Sequence, residues 1–169
     1  MTVRLEPFGE RHIGALEDML DDPELLRFTR LPEPVPPGFA QTWLAGYEEG
    51  RTDGSRDAFA IVDADGVFLG LALAPRIEHD ARTAELGYVV APAARGRGVA
   101  TEALRQLTEW AFSEQGMLRL ELLISVENAA SKRVAEHCGY VREGVLRSLH
   151  VKEGVREDTE IWSRLATDG

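Results

Sequence analysis

Three stretches of this chain predict a mixed α/β domain, a sheet with helices packed on it. Residues 58–90 read as a meander of three strands, residues 100–111 carry the stripe of an amphipathic helix, and residues 118–126 alternate as a further strand. Together with the flanking segments they give the order β-α-α-β-β-β-α-β-α-β-β, a mixed sheet of the α/β or α+β class. The 169 residues fit a single domain, 1–169, long enough to bury about 70% of the unfolded surface.

The first strand is Val3-Arg4-Leu5, followed by a helix from about His12 to Leu20. Asp21-Asp22-Pro23-Glu24 ends that helix or starts the next turn. Leu31 to Gly38 holds four of the eight prolines. Proline fixes φ and lacks an N–H, so this segment is a stiff surface connector or a loop that gates a substrate. A second helix covers Phe39 to Glu49 and stops at Gly50.

Ala58 to Val62, the Asp63-Ala64-Asp65-Gly66 turn and Val67 to Leu73 form a hairpin, and Thr83 to Val90 adds a third strand that Pro92 stops. Ala100, Ala103, Leu104, Leu107, Trp110 and Ala111 fall on one face of the next helix. Glu102, Arg105, Glu109 and Glu114 face water, and Gly116 suits the C-terminal end. Leu120, Leu122, Ile124 and Val126 share one face of a strand. Asn128 caps a short helix with Ala130, Val134 and Cys138 on its apolar side, closed by Gly139. Tyr140 to Leu149 and Glu157 to Leu165 read as a last hairpin.

Composition narrows the function. Hydrophobic content of 44% and charged content of 28% are ordinary for a soluble globular domain. No apolar run approaches the ~18–20 residues of a membrane helix, and Met1 to Glu6 has no signal-peptide character. The single Cys138 excludes an internal disulfide and suits a reducing cytoplasm. A formal net charge of −10 works against binding nucleic acid or anionic membrane and favours cationic substrates. His12, His79, His137 and His150 are scattered without ligand spacing, so no metal site is expected.

The chemistry concentrates in Arg95-Gly96-Arg97-Gly98-Val99-Ala100-Thr101. A glycine-rich turn running into a helix aims successive backbone N–H groups at one spot, where the helix dipole adds positive charge; this is a phosphate cradle. Arg95 and Arg97 add charge-assisted donors. A nucleoside-triphosphate P-loop needs a lysine after the last glycine, which Gly98 lacks. A dinucleotide turn needs a third glycine, and position 101 is threonine in a turn that follows an antiparallel meander.

Arg95-x-x-Gly98-x-Ala100 matches the Gln/Arg-x-x-Gly-x-Gly/Ala signature of the GNAT acetyltransferase superfamily. It follows Glu85-Leu86-Gly87-Tyr88-Val89-Val90-Ala91-Pro92 and stands about thirty residues ahead of Asn128-Ala129-Ala130-Ser131. Gly139-Tyr140, Glu143-Gly144-Val145-Leu146-Arg147 and Asp158 complete an array that resembles the Rim-type branch, the ribosomal-protein N-terminal acetyltransferases. The resemblance spans essentially the whole chain and is strongest from Glu85 to Tyr140.

It implies the GNAT fold, a central twisted, mostly antiparallel sheet flanked by helices, and acetyl-CoA as cosubstrate. It further implies that Arg95, Gly96, Arg97, Gly98, Val99, Ala100 and Thr101 hold the pyrophosphate, Thr101 through its hydroxyl or merely as a cap. Main-chain groups of Val89 and Val90 serve the pantetheine arm and the acetyl oxygen, and Asn128 bonds the pantetheine while capping its helix. Glu85 resembles the family's general base, against the alternative of a strand carboxylate paired with Arg82 or another arginine. Ser131 lies near the sulfur. The family often places a tyrosine general acid seven residues after the asparagine, but this chain has Ala135 there, which leaves Ser131, or a water it holds, as the acid. The reaction expected is direct attack of a primary amine on the thioester in a ternary complex. The acceptor is a protein N-terminus or a small amine such as a polyamine or aminoglycoside; a non-catalytic acyl-CoA sensor is the alternative from another class. Relatives often pair, so a homodimer is expected.

Overall fold

The computed structural model describes residues 1–169. Seven strands form one sheet in the order β1-β2-β3-β4-β5-β7-β6. They are β1 (Arg4–Pro7), β2 (Asp57–Val62), β3 (Phe68–Glu78), β4 (Thr83–Val90), β5 (Arg119–Ser125), β6 (Val141–Lys152) and β7 (Val155–Leu165). Every neighbouring pair is antiparallel except β4–β5. Five helices join them: α1 (Ile13–Met19), α2 (Pro23–Phe28), α3 (Phe39–Asp53), α4 (Val99–Ser113) and α5 (Ala129–His137). The expected mixed sheet flanked by helices is therefore present.

Each face of the sheet buries its own apolar layer. Ala103, Leu104, Leu107 and Ala111 of α4 pack with Leu120, Leu122, Ile124 and Trp162 on one face. Ile13, Leu16, Ala40, Leu44 and Tyr47 of α1 and α3 pack with Ala58, Ala60 and Val62 on the other. The 3.6-residue stripe of α4 and the alternation of β5 are read correctly from the sequence because both are set by one face meeting the core. No helix is long and apolar enough to cross a membrane.

Four elements differ from the sequence expectation. Asp22 does not merely end a helix: its carboxylate accepts from Leu25 N at 3.0 Å and caps α2, with Pro23 in the first turn. α3 passes through Gly50, which is buried beside Arg56, and stops instead at Gly54 in the left-handed conformation. On α5 the fully buried residue is Ala135 rather than Ala130, which is exposed. The last hairpin is longer than expected and turns at Glu153-Gly154, both at positive φ.

A fifth difference shapes the site. The strand expected to stop at Leu73 continues to Glu78 across Pro75. Leu73 pairs with Gly87 and Arg76 with Glu85, so Ala74 and Pro75 together oppose Leu86 alone. This is a β-bulge, the one setting in which a proline sits inside a sheet, since its missing N–H costs no ladder bond. The bulge stands opposite Leu86, and there the pairing of β4 with β5 ends: Thr83 to Leu86 match Arg119 to Leu122 and nothing beyond does. β5 stays with β7 through Ser125, so the two parallel strands diverge.

Gly70 holds the diverging end of β4 in place. It pairs with Val90, and a methyl group on it would overlap the Val89 carbonyl oxygen and lie 2.9 Å from Val90 Cα. Gly70→Ala is expected to destabilise the domain by about 1–3 kcal/mol through overpacking and to displace Val89 and Val90, read as a lower urea midpoint and shifted amide resonances at those two residues.

Candidate active site

The divergence of β4 and β5 opens a cavity of ≈ 740 Å³. Glu85 to Val90 line one wall, Leu122 to Ser125 the other, and Asn128, Ser131 and Val134 of α5 lie across it. The turn before α4 forms one end, and Glu24, Leu25, Phe28 and Thr29 of α2 border it as well. Of the residues singled out from the sequence, Glu85, Val89, Val90, Arg95, Gly96, Gly98, Val99, Ala100, Thr101, Asn128 and Ser131 meet at this cavity. Arg97 does not: its guanidinium points to the Ala93 carbonyl at 3.5 Å and to Met1.

The turn has the form of an anion cradle. Gly96 and Gly98 take φ of 72° and 75°, a region in which other residues are strained. The first main-chain bond of α4 runs from Glu102 N to Gly98 O at 3.1 Å. The N–H groups from Gly96 to Thr101 therefore have no main-chain acceptor and collect at the positive end of a 15-residue helix. Ala100 keeps the first turn small.

Arg95 is already engaged. Its Nε donates to the Val90 carbonyl at 3.1 Å, one terminal nitrogen pairs with Asp22, and the other reaches Glu24 at 2.8 Å. It thus ties the cradle to α2 and β4. The Asp22 carboxyl is held below its ordinary value by the hydrogen bond from Arg95 and further by the Leu25 N–H, against the opposing effect of burial.

On the walls, Glu85 is mostly buried and faces Arg76, the residue opposite it on β3, at 3.8 Å. Of the arginines the sequence offered, the partner is Arg76 rather than Arg82, whose Nε donates to Gly116 O. The bulge brings Arg76 opposite Glu85, a register no sequence pattern announces. Asn128 accepts from Ser131 N at 3.2 Å and caps α5, leaving its amide nitrogen without a protein acceptor. Tyr88, given no role of its own in the sequence, lines the cavity, and its hydroxyl donates to the Ser131 carbonyl at 3.2 Å. Cys138 is buried, with its thiol pushed up by that burial and directed at the Thr101 carbonyl. No cluster of His, Cys, Asp or Glu side chains is arranged to hold a metal ion.

Chemically, the site joins an anion cradle, an open strand edge with free main-chain groups, a carboxylate and two hydroxyls along one cleft. A family model for the acetyltransferase (GNAT) domain matches residues 2–141. The Bacillus subtilis protein YjcK, named a probable N-acetyltransferase, is 36% identical over 87 residues, 52% of this chain and 48% of its own. A spermidine N(1)-acetyltransferase of Vibrio cholerae is 28% identical over 100 residues, 59% of this chain and 58% of its own. The chain spans about half the length of the curated relatives it matches. The crystal structure of RimL, a ribosomal L7/L12 alpha-N-protein acetyltransferase in complex with coenzyme A, superimposes with a TM-score of 0.91 at 20% identity, covering 100% of this chain and 97% of that one. At that identity what is shared is the fold.

The Asp22–Arg95 pair makes stability depend on pH. A carboxyl whose folded value is depressed contributes stability above its ordinary value of 3.8 and loses it as pH falls through the folded value. Asp22→Ala is expected to cost about 1–3 kcal/mol at pH 7, combining a lost helix cap with a lost charged hydrogen bond. Urea unfolding of both proteins should show the gap narrowing once pH drops below 3.8.

Proposed function

We propose, from the premise that this chain belongs to the GNAT acetyltransferase family, that it moves an acetyl group from acetyl-CoA to a primary amine by direct attack in a ternary complex. The observation that supports this most is the opening of the sheet between β4 and β5 beside six unpartnered N–H groups, Gly96 to Thr101. A phosphate cradle at one end and a free strand edge leading from it suit a ligand that is polyphosphate at one end and a thin amide-bearing arm at the other.

In this reading the N–H groups from Gly96 to Thr101, with the Thr101 hydroxyl, hold the pyrophosphate. Arg95 supplies positive charge beside it while clamped to Asp22 and Glu24. The arm then runs along the edge of β4 freed beyond Leu86, hydrogen-bonding to main-chain groups there and to the Asn128 amide. A backbone N–H at Val89 or Val90 stabilises the oxyanion that forms on the acetyl oxygen. Glu85 attracts the ammonium and takes its proton, directly or through a water; the guanidinium of Arg76 beside it keeps the carboxylate oriented. Ser131 lies where the sulfur leaves.

The acceptor is a primary amine carried by a protein N-terminus or by a small cationic molecule. The net charge of −10 suits either, since basic protein tails and polyamines are both drawn to an acidic surface. Free-CoA release is measured with basic N-terminal peptides, polyamines and aminoglycosides as acceptors. Turnover with one class identifies the acceptor, and none with any class, despite saturable acetyl-CoA binding, favours an acyl-CoA sensor. Glu85→Gln is expected to lower kcat about 10²-fold, the scale of a lost general base, with acetyl-CoA affinity unchanged. Gly98→Glu is expected to abolish acetyl-CoA binding by calorimetry while the protein stays folded, because a carboxylate then stands in the cradle; wild-type affinity in this variant would contradict the site.

A further inference from the structure

We propose that the Tyr88 phenol is the proton donor to the departing thiolate, held in place by the main-chain carbonyl of Ser131, an assignment that rests on the acetyl-transfer reading above. Tyr88 is two residues past Leu86, on the part of β4 that has left β5. It reaches from β4 to α5, where its hydroxyl donates to the Ser131 main-chain carbonyl at 3.2 Å, and both residues line the cavity. One turn further along α5, Ala135 is fully buried and carries no proton to give.

Thr101 sits in the first turn of α4 by the cradle. Thr29 donates to the Leu25 carbonyl at 2.6 Å, and the Tyr140 hydroxyl is buried against Thr108 at 2.8 Å. Ser125 and Ser131 also line the cavity, but the Tyr88 phenol is a much stronger acid than either. Burial pushes it up to about 12, with the Ser131 hydroxyl beside it working in the opposite direction. The group is therefore protonated at neutral pH, and the serine favours the phenolate that proton transfer creates.

The step balances without any further reactant. The lone pair of the neutral amine forms the C–N bond, the carbonyl pair moves to oxygen and returns as the C–S bond breaks, and sulfur leaves with the bonding pair. The Tyr88 proton passes to sulfur and yields the free thiol. The proton that nitrogen sheds on becoming an amide restores the phenol.

The test compares Tyr88→Phe with Ser131→Ala, following kcat, KM and the calorimetric Kd for acetyl-CoA. Tyr88→Phe keeps the ring and is expected to lower kcat by about 10²-fold with Kd for acetyl-CoA within twofold of wild type. Ser131→Ala keeps the carbonyl that holds Tyr88 and is expected to cost less. Wild-type kcat in Tyr88→Phe, or a larger loss in Ser131→Ala than in Tyr88→Phe, would overturn the assignment while leaving acetyl transfer intact. A wild-type protein that binds acetyl-CoA but releases no CoA with any amine would overturn the underlying reading, and this assignment with it.

Discussion

The geometry of the site depends on where the pairing of β4 with β5 ends. A parallel pair in the middle of a seven-stranded sheet would ordinarily be sealed along its length, since every unpaired N–H and C=O buried there costs free energy. Here it stops after four residues. On the other side of β4, Ala74 and Pro75 of β3 face Leu86 alone. A bulge bends its own strand and increases the local twist, and this one stands opposite the residue at which β5 is released. One edge of β4 is free beyond that point while the other stays anchored to β3 as far as Val90. In the proposed function, the polar main-chain groups so exposed bind the arm of the ligand.

Charge is arranged on the same principle of local exception. A chain of net charge −10 repels anions at a distance, yet main-chain dipoles at the start of α4 create a site for them. Backbone donors act only at contact range, so they are little affected by the surrounding acidity. Arg95 joins this site to α2 through Asp22 and Glu24, and α2 borders the same cavity from another side. The donor end of the cleft and the wall beside it are thus one mechanical unit.

What was legible in the sequence follows from this. The helix stripe of α4, the alternation of β5 and the glycine spacing of the cradle each express a single local period or a positive-φ requirement, and each is found as read. Pro75 shows the limit. Local rules make a proline the end of a strand, which holds for Pro92, but at Pro75 the strand runs on because a bulge absorbs the missing N–H. Tertiary pairing alone decides between the two cases. In the same way, Arg76 meets Glu85, and Asp22 meets Arg95 across 73 residues, through register and packing that no short pattern encodes. That Tyr88 comes across from β4 beside Ser131 is visible only once the two elements are seen to face each other.

The central claim is that the cradle and the freed edge of β4 bind one ligand together. Amide chemical shifts of the 15N-labelled protein titrated with acetyl-CoA test it most directly. The account predicts saturable shifts at Gly96, Gly98, Val99 and Ala100 that share one dissociation constant with shifts at Val89 and Val90, while the turn at Glu153-Gly154 stays unmoved. Saturation at the glycine turn without any change at Val89 and Val90, or no saturable change at either, would contradict it.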